Sequence, residues 1–384
     1  MNLCNFVDPN SRRKALEKEL GLNLSHIGSY SLDEQQAATK NCENMIGAVQ
    51  VPLGIAGPLK ISNFKFQISN EYYVPLATTE GALVASINRG CKTISESGGA
   101  TVASQKVGIT RAPVFRIKNI DEGVKLRDWI ESHFSEIKKI AESTSSHLAL
   151  LTIKTWMSGR SFYTRFSYDT TDAMGMNMAT IATEAVAAFI EKGTKAHLVA
   201  ISGNMCVDKK ANYLNFIEGR GYSVWAEAVI PETIIASVLK TGKSKILEVA
   251  ERKLHQASIM SGTIGANAHM ANVLAAIFLA TGQDIAHVAE CATGVTTVEN
   301  DKDGLYVSVY LPDLVVGTVG GGTHLATQKE ALQILGLDAL NEKNTGQKLA
   351  EIIAGAVLAG EISLLASLAE GSLTQAHKKF ARGV

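Results

Sequence analysis

The sequence predicts an α+β fold, in which a large helix-rich body carries a smaller inserted α+β unit. Apolar residues recur at helical spacing just after residue 80, near residues 231–258 and near residues 267–280. Between about residues 111 and 201, short apolar runs alternate with helical segments instead. The chain has 384 residues, 46% of them hydrophobic, which is more than one average domain holds. We therefore expect two or three domains, with the alternating unit as one of them.

The part of the chain before this unit is predicted to hold a surface helix, short strands and one apolar helix. Residues 11–19 are charged and helix-prone, whereas residues 46–58 alternate branched aliphatic residues with glycine and proline, which is typical of strands and tight turns. Two threonines at 78–79 occupy the expected N-cap of the apolar helix, which would place Glu80 in its first turn. The glycine pair at 98–99 would end that helix.

The inserted unit and the segment after it are predicted to contain short strands and longer helices. In the unit we expect, in order, a strand at 114–117, a charged helix near 121–142, strands at 148–154 and 162–168, and a helix from Asp172. After it come a loop at 202–210, the helices near 231–258 and 267–280, and a glycine-dense turn at 317–323 that precedes two further helices.

Composition excludes several classes of partner. Lysine plus arginine and aspartate plus glutamate both number 37, so no net charge favours nucleic acid or an anionic membrane. The five cysteines have no C-x-x-C spacing, which suits a reduced cytosolic setting. The N-terminus lacks the pattern of a secretory signal, and Glu361 and Glu370 interrupt the C-terminal apolar run before it reaches the roughly 18 to 20 residues of a membrane span. We expect a soluble, cytoplasmic protein.

Three common motifs can be excluded. The glycine turn GTVGGGT lacks the order G-x-G-x-x-G, so the Rossmann fingerprint is missing. Residues 242–244 (GKS) end like a phosphate-binding loop, but the first glycine of such a loop would fall on Ser237. The nine histidines include no H-E-x-x-H pair, and we predict no metal site.

Three segments allow both a chemical and a structural interpretation. Residues 172–177 (DAMGMN) open a helix whose free N–H groups could face a pyrophosphate or could belong to a capped core helix. Asp208, Lys209 and Lys210 follow a turn, where adjacent cations form either a solvated surface or, in a cleft, a site for anionic oxygens. His377, followed by two lysines, has the pattern of an exposed tail residue. The local patterns leave these alternatives open.

An ordered set of segments links these motifs. From Glu43 to His377 the chain contains ENMIG (43–47), VPLGIAGP (51–58), LATTEG (76–81), NRG (88–90), DAMGMNM (172–178), SGNMCVDKK (202–210), EGRG (218–221), NAHMAN (267–272), GQD (282–284) and GTVGGGT (317–323). Together they resemble the catalytic portion of the 3-hydroxy-3-methylglutaryl-CoA (HMG-CoA) reductases over nearly the whole chain. So many motifs in one order are not expected by chance.

The resemblance implies an architecture and an assembly. Residues 1–48 would form an N-terminal helical region with the start of a dimerisation segment. Residues 49–111 and 202–384 would form a large HMG-CoA-binding domain, and residues 112–201 an inserted nicotinamide-binding domain without a Rossmann fold. Active sites of this family form between two subunits, which implies a homodimer or a higher even oligomer. Eukaryotic members carry membrane spans ahead of this portion, whereas this chain is expected to be free in the cytoplasm.

The resemblance also implies a reaction and the residues that perform it. HMG-CoA would be reduced to mevalonate and coenzyme A by two hydride transfers from NAD(P)H, for isoprenoid biosynthesis or, in reverse, for mevalonate degradation. Glu80 would donate a proton, Lys209 would face the carbonyl oxygen, Asp284 would lie between them, and His377 would protonate the departing thiolate. The implied substrate-binding residues are Asn88, Arg89, Arg111, Ser202, Asn204, Asp208, Lys210, Lys253 and Asn272.

For the cofactor, the resemblance implies a contact set and the sequence favours NADH over NADPH. Members of the family that use NADPH place serine and arginine just before the DAMG loop, where the matching stretch of this chain is YDTT (168–171), with Asp169 in it. A carboxylate repels a 2′-phosphate but accepts hydrogen bonds from ribose hydroxyls. The alternative is that Asp169 faces solvent while a lysine or arginine from elsewhere binds the phosphate. The implied contact residues are Asp169, Asp172, Met174, Gly175, Met176, Asn177, Gly320 and Gly321.

Two other functions remain open from the residues alone. A CoA-thioester hydrolase or lyase would need no nicotinamide, and the DAMGMN loop counts against it. A non-catalytic CoA-binding protein would be expected to lose one of Glu80, Lys209, Asp284 and His377, yet all four are present.

Overall fold

The computed structural model describes residues 3–63, 69–337 and 342–371, and its mixed helices and strands confirm the α+β class. The strands are β1 (Leu53–Asn63), β2 (Ser69–Ala77), β3 (Ala100–Arg111), β4 (Val114–Arg116), β5 (Ala149–Ser158), β6 (Ser161–Asp169), β7 (His197–Ala200), β8 (Gly221–Ile230), β9 (Val295–Asp301) and β10 (Gly304–Leu314). The helices are α1 (Pro9–Leu20), α2 (Glu34–Lys40), α3 (Leu83–Glu96), α4 (Ile120–Ser132), α5 (Phe134–Glu142), α6 (Met176–Gly193), α7 (Tyr213–Glu218), α8 (Glu232–Ser237), α9 (Lys243–Val249), α10 (Ser258–Ser261), α11 (Met270–Thr281), α12 (Val288–Cys291), α13 (Ala326–Ile334) and α14 (Thr345–Glu370), and the π-helical segment Ala250–Ala257 joins α9 to α10.

The strands form one continuous sheet, in which β3 is the link between two parts. The order is β7-β4-β6-β3-β8-β10-β9, with β5 beside β6, and with β1 pairing to both β2 and β3. Residues 101–108 of β3 pair with β8, whereas residues 109–111 pair with β6. Gly108 lies at this change of partner with φ +93°, where a Cβ would come within 2.7 Å of the Tyr168 carbonyl oxygen. Only glycine therefore fits this junction.

Strands β4–β7 and helices α4–α6 fall within the inserted unit that the sequence predicts. Phe166 and Tyr168 of β6 are fully buried, as are Ala179, Val186 and Ile190 of α6. This small group of elements thus has an apolar interior of its own. The domain boundaries at 111/112 and 201/202 stay a prediction.

Helix α14 lies at the centre of the larger part. Most of its side chains are buried, and it packs against α3, α11 and β8. The approach of α3 is close enough that a Cβ on Gly90 would lie 1.9 Å from the Ala359 carbonyl oxygen. By length and composition α14 could cross a membrane, but 78% of its most apolar window is buried inside the protein. Core packing therefore accounts for its apolar character.

The structure corrects the predicted start of the first apolar helix. Helix α3 begins at Leu83 after Ala82, whose φ is +76°, and no side chain caps it. The Thr78 hydroxyl instead accepts a hydrogen bond from the Glu80 N–H at 3.0 Å, which closes a turn directly after β2. Glu80 therefore lies in the loop before the helix, not in its first turn.

Two predicted helices are also divided, and a third begins late. The charged helix near 121–142 breaks at His133, which ends α4 with φ −105°. The helix near 231–258 is interrupted after α8, where Lys240 adopts φ +58° and Gly242 precedes α9. The helix expected from Asp172 begins only at Met176, because Gly175 has φ +88°. At Lys240 and Gly175 the left-handed backbone interrupts helical hydrogen bonding.

Candidate active site

Lys209 and Asp284, two of the predicted catalytic residues, form an ion pair. The Lys209 Nζ to Asp284 Oδ2 distance is 2.7 Å, and the two side chains are 40% and 34% exposed, so the pair is accessible from solvent. Asp284 also accepts the Ala286 N–H at 3.1 Å, which fixes its carboxylate at the start of a short turn. Partial burial alone would raise the pKa of Asp284, but the hydrogen bond from Lys209 and the other donors around it lower that pKa.

The loop that carries Lys209 has an unusual backbone. Asn204, Val207 and Lys209 all have positive φ, at +67°, +47° and +58°. Such angles are unfavourable for residues with a Cβ, and most of all for a β-branched one, so the surrounding structure must hold them. Asn215 Nδ2 donates to the Val207 carbonyl at 3.0 Å, and the Lys209 N–H donates to Glu290 Oε1 at 3.0 Å. The loop is thus held in the shape that presents Lys209.

Beneath this loop lies a buried charge network centred on Arg220. Its guanidinium donates to both oxygens of Glu290 at 2.8 and 2.9 Å and to Asp208 Oδ1 at 2.9 Å. Arg220 and Glu290 are fully buried. Burial alone would lower the pKa of Arg220, but Glu290 and Asp208 raise it, so the guanidinium stays charged.

Asp208, His287 and Glu290 have the donor types of a metal site. Their ligand atoms lie within 4.8 Å of one another. However, Arg220 donates to both carboxylates and already supplies the positive charge that a metal ion would bring. We therefore interpret this group as an ion-pair cluster that supports the Lys209 loop.

Glu80 lies apart from the ion pair of Lys209 and Asp284. Its carboxylate accepts a hydrogen bond from Asn272 Nδ2 at 3.4 Å, and Asn272 is in the first turn of α11. Asp284 follows the other end of that helix. A helix rises about 1.5 Å per residue, so these two positions are separated by roughly 14 Å along α11. A single chain therefore does not bring Glu80 to Lys209.

The implied substrate-binding residues divide between the same two places. Arg111, Ser202, Asn204, Asp208 and Lys210 belong to the Lys209 end. There Arg111 donates to the Thr180 hydroxyl at 2.8 Å, the Ser202 hydroxyl lies 3.5 Å from Cys206 Sγ, and Lys210 donates to the Asp208 carbonyl at 3.1 Å.

At the Glu80 end, Asn88 and Arg89 lie in the second turn of α3. Asn88 accepts the Gly57 N–H at 2.9 Å, and Arg89 donates to the Ser363 carbonyl at 2.6 Å, so both side chains also brace neighbouring elements. Lys253 lies farther along, in an open groove between the π-helical segment and Leu368 of α14.

The two glycine-bearing segments that are predicted to bind the cofactor meet beside Asp284. Ala173 and Val319 form a parallel bridge, and a Cβ on Gly317 would lie 2.3 Å from the Met174 nitrogen. Gln283 accepts the Gly317 N–H at 2.9 Å, so the glycine turn also touches the segment that carries Asp284. Sequence segments 172–177, 282–284 and 317–323 therefore form one continuous surface with the ion pair.

Gly320 and Gly321 show room for a ligand on this surface. Both have positive φ, and a Cβ at either position would meet no atom within 4 Å. Gly175 precedes α6, whose first N–H groups lack side-chain caps. A Gly-rich backbone beside an uncapped helix start suits the phosphates of a dinucleotide.

The comparisons with known proteins fit this arrangement. A family model described as hydroxymethylglutaryl-coenzyme A reductase matches residues 8–382. The chain belongs to this family. A relative named 3-hydroxy-3-methylglutaryl-coenzyme A reductase from Methanocaldococcus jannaschii is 50% identical over 377 residues, covering 97% of this chain and 92% of the relative. One of the same name from Haloferax volcanii is 47% identical over 374 residues, covering 97% and 92%.

Solved structures with the same fold are more distant in sequence. The class II 3-hydroxy-3-methylglutaryl-CoA reductase from Streptococcus pneumoniae, solved with NADPH bound in open conformations, has a TM-score of 0.70 at 19% identity and covers 94% of this chain and 96% of that one. As a member of the HMG-CoA reductase family, the chain is an NAD(P)H-dependent oxidoreductase of the mevalonate pathway. The alternatives of a nicotinamide-free hydrolase or lyase and of a non-catalytic homologue are therefore wrong.

The structure adds several residues to this candidate site that the sequence does not point to. Lys106 of β3 forms an ion pair with Asp169 and donates to the Thr171 carbonyl at 2.6 Å. His287 and Glu290 support the Lys209 loop from about 80 residues away. No motif marks these three residues, because each acts through a partner distant in the chain. Only Arg220, inside the EGRG segment, had a local signal.

Two of the predicted site residues remain, one in the cofactor-binding set and one in the catalytic set. The Asp172 carboxylate accepts the N–H groups of Gly346 at 2.8 Å and Asn344 at 3.2 Å, so it caps the start of α14. Both of its oxygens are therefore engaged within the protein. His377 lies outside the described residues.

Proposed function

We propose that this chain converts (S)-HMG-CoA to mevalonate and coenzyme A, with Lys209, Asp284 and Glu80 at the reacting carbonyl and His377 protonating the thiolate. The observation that supports it best is the ion pair of Lys209 and Asp284 on the surface that joins segments 172–177 and 317–323. A bound nicotinamide supplies the hydride. The residues of the chain bind, orient and move protons.

Lys209 is the group that stabilises negative charge on the substrate oxygen. Its ammonium is held by Asp284 at 2.7 Å, and the hydrogen bond between its N–H and Glu290 fixes the backbone. Because the loop is ordered before substrate arrives, little reorganisation is needed when charge develops. Asp284 keeps the ammonium in place, and Glu80 is the proton donor.

A direct assay separates this function from other CoA-thioester chemistry. With HMG-CoA and a reduced nicotinamide, we expect oxidation of two cofactor molecules for each thiol released, measured by absorbance and by a thiol reagent. Thiol release without cofactor oxidation would instead indicate hydrolysis or cleavage.

We propose further that the complete site forms between two subunits of a homodimer or a higher even oligomer. The support is the separation of Glu80 from the ion pair of Lys209 and Asp284 by roughly the length of α11. In a two-fold dimer the Glu80 end of one subunit can meet the Lys209 end of its partner. Each site would then use both chains.

Co-expression of two inactive variants tests this assembly. Glu80→Gln and Lys209→Ala chains, mixed at random, should recover roughly a quarter of native activity, because half of the dimers are mixed and each mixed dimer has one intact site. Lys209→Ala with Asp284→Asn is the matched control and should recover nothing, since both residues come from the same chain. No recovery in the first mixture would show that each site lies within one subunit.

For the cofactor, we propose that NADH is preferred over NADPH. Asp169 is 37% exposed and accepts the Thr171 N–H at 2.8 Å, so its carboxylate is oriented by the turn before the 172–177 loop. Lys106 pairs with it and offsets part of its charge. This pairing weakens the repulsion of a 2′-phosphate but leaves the carboxylate able to accept a ribose hydroxyl.

Variants of this pair give a measurable prediction. We expect native kcat/KM to be higher with NADH, and Asp169→Arg to shift the ratio toward NADPH by about tenfold or more, as one charge-assisted contact is worth about 1.5 to 3 kcal/mol. Lys125→Met, which removes an exposed lysine of α4 paired with Asp121, is the control and should leave the ratio unchanged. Native preference for NADPH, lost selectively in Lys106→Met, would instead assign the phosphate to Lys106.

We also propose a cytoplasmic location, in agreement with the balanced charge of the chain and the burial of α14. Fractionation of the expressed protein tests it, and recovery in the membrane pellet would contradict it.

A further inference from the structure

His287 lies directly behind the ion pair of Lys209 and Asp284. It is three residues after Asp284, at the end of the same short turn, and it is fully buried. Its Nδ1 is 2.5 Å from Glu290 Oε1. Its Nε2 is 3.8 Å from Asp284 Oδ2 and 4.0 Å from Asp208 Oδ1. The ring therefore lies between the supporting network and the reacting one.

The hydrogen bonds fix the role of one ring nitrogen. Both oxygens of Glu290 accept from Arg220 Nη1, and Glu290 also accepts the Lys209 N–H and an Asn215 amide N–H, so its carboxylate acts only as an acceptor. Nδ1 of His287 must then be the donor to Glu290. The state of Nε2 alone decides whether the ring is charged.

Nε2 has no hydrogen-bond partner in the part of the chain that the structure describes, and it is buried. Without a proton, its lone pair would face the carboxylates of Asp208 and Asp284 in a region shielded from water. With a proton, it is attracted to both at ion-pair distance.

The charges around the ring lead to the same conclusion. Three carboxylates (Asp208, Asp284 and Glu290) face two cations (Lys209 and Arg220). Beyond Glu290, burial and the charge of Glu290 raise the pKa of Asp313 to about 8, which leaves that side chain neutral at pH 7. Farther out, Arg165 is influenced by Glu218, which also pairs with Lys154. Among the five charged side chains around the ring, one negative charge remains, and a single imidazolium balances it.

We propose that His287 is a positioning residue that, as an imidazolium, keeps Asp284 ionised and directed at Lys209. The inference rests on the proposed function, because it assigns Lys209 and Asp284 to the reaction. His287 itself does not contact the substrate. It holds its proton between Glu290 and Asp284 and so keeps the Lys209 ammonium in one orientation.

His287→Asn is the sharpest variant, because an asparagine amide can take the place of Nδ1 and keep the donor to Glu290 while removing Nε2. We expect kcat to fall about tenfold with KM little changed, because Asp284 loses the charge that keeps it directed at Lys209. The pH profile of kcat should also differ between the native protein and the variant. His197→Asn, an exposed histidine paired with Glu191, is the control and should keep both kcat and the pH profile.

Nitrogen-15 spectra of histidine-labelled native protein give a readout that is independent of catalysis. The signals that disappear in His287→Asn belong to His287, and at pH 7 they should show both ring nitrogens protonated. A neutral ring, or a variant with native pH dependence and only a lower melting temperature, would overturn the proposal. If HMG-CoA is not reduced at all, the proposed function fails, while the spectra still report the charge of His287.

Discussion

Lys209→Ala is expected to lower kcat for HMG-CoA reduction by about 10²- to 10³-fold, the usual effect of removing one preorganised group that stabilises an oxyanion. The side chain is 40% exposed, and the N–H that binds Glu290 is retained in alanine, so the loop and the fold should persist. Glu80→Gln should cost a similar factor, because the amide keeps the contact with Asn272 but has no acidic proton.

The measurement is a steady-state assay together with thermal unfolding of each variant. Lys125→Ala removes an exposed lysine of α4 that pairs with Asp121, and it serves as the matched control with native kcat. Turnover near the native level in Lys209→Ala or Glu80→Gln would contradict their assignment. If Lys209→Ala were to unfold, its loss of activity would say nothing about catalysis. Lys209→Met, which retains the aliphatic stem, is therefore the second variant, and it should be folded and equally inactive.

Most elements of the fold follow from local patterns, whereas their ends do not. The spacing of apolar residues predicted α3 and α11, and the glycine pair at 98–99 ends α3 as expected. The predicted start of α3 was wrong because Thr78 binds the Glu80 N–H, a choice between two local hydrogen bonds that sequence does not decide. The break at Lys240 depends on a left-handed residue that is not glycine, and no propensity marks it.

The site was predictable to the extent that its residues lie in motifs. The segments that contain Lys209, Asp284 and Gly317 carried the family resemblance, and the structure brings them together. The residues that support these segments from other parts of the chain lie in no recognisable motif. Glu290 reaches the Lys209 backbone across 81 residues, and Lys106 meets Asp169 from another strand, so only the fold reveals them.

The separation of Glu80 from Lys209 shows a different limit of prediction from sequence. Both residues stand in clear motifs, and motif order gives no hint that one chain keeps them apart. The distance follows from the length of α11, with Asn272 at one end and Asp284 beyond the other. The proposed site between two subunits therefore rests on the geometry of one helix.

Asp313→Asn should stabilise the protein strongly at alkaline pH. Asp313 of β10 is fully buried, its Oδ1 accepts the Thr293 hydroxyl at 3.3 Å, and its Oδ2 has no partner among the described residues. Burial first, and then the charge of Glu290, raise its pKa to about 8. In the unfolded chain an aspartate titrates near 3.9, so the folded state holds an extra proton between about pH 4 and pH 8.

This difference fixes the sign of the pH dependence. The contribution of Asp313 to stability is fully present below about pH 4 and is lost as pH rises through about 8, because the buried carboxyl must then ionise. Four units correspond to about 5 kcal/mol in the free energy of unfolding, an order-of-magnitude value. Asparagine keeps the neutral shape at every pH. Denaturant unfolding at pH 5, 7 and 9 should therefore show the largest gain for Asp313→Asn at pH 9 and a flatter profile than that of the native protein. Asp303→Asn, at an exposed carboxylate beside the β9–β10 turn, is the control and should leave the profile as it is. An equal change in stability at all three pH values would show that Asp313 is ionised in the folded protein.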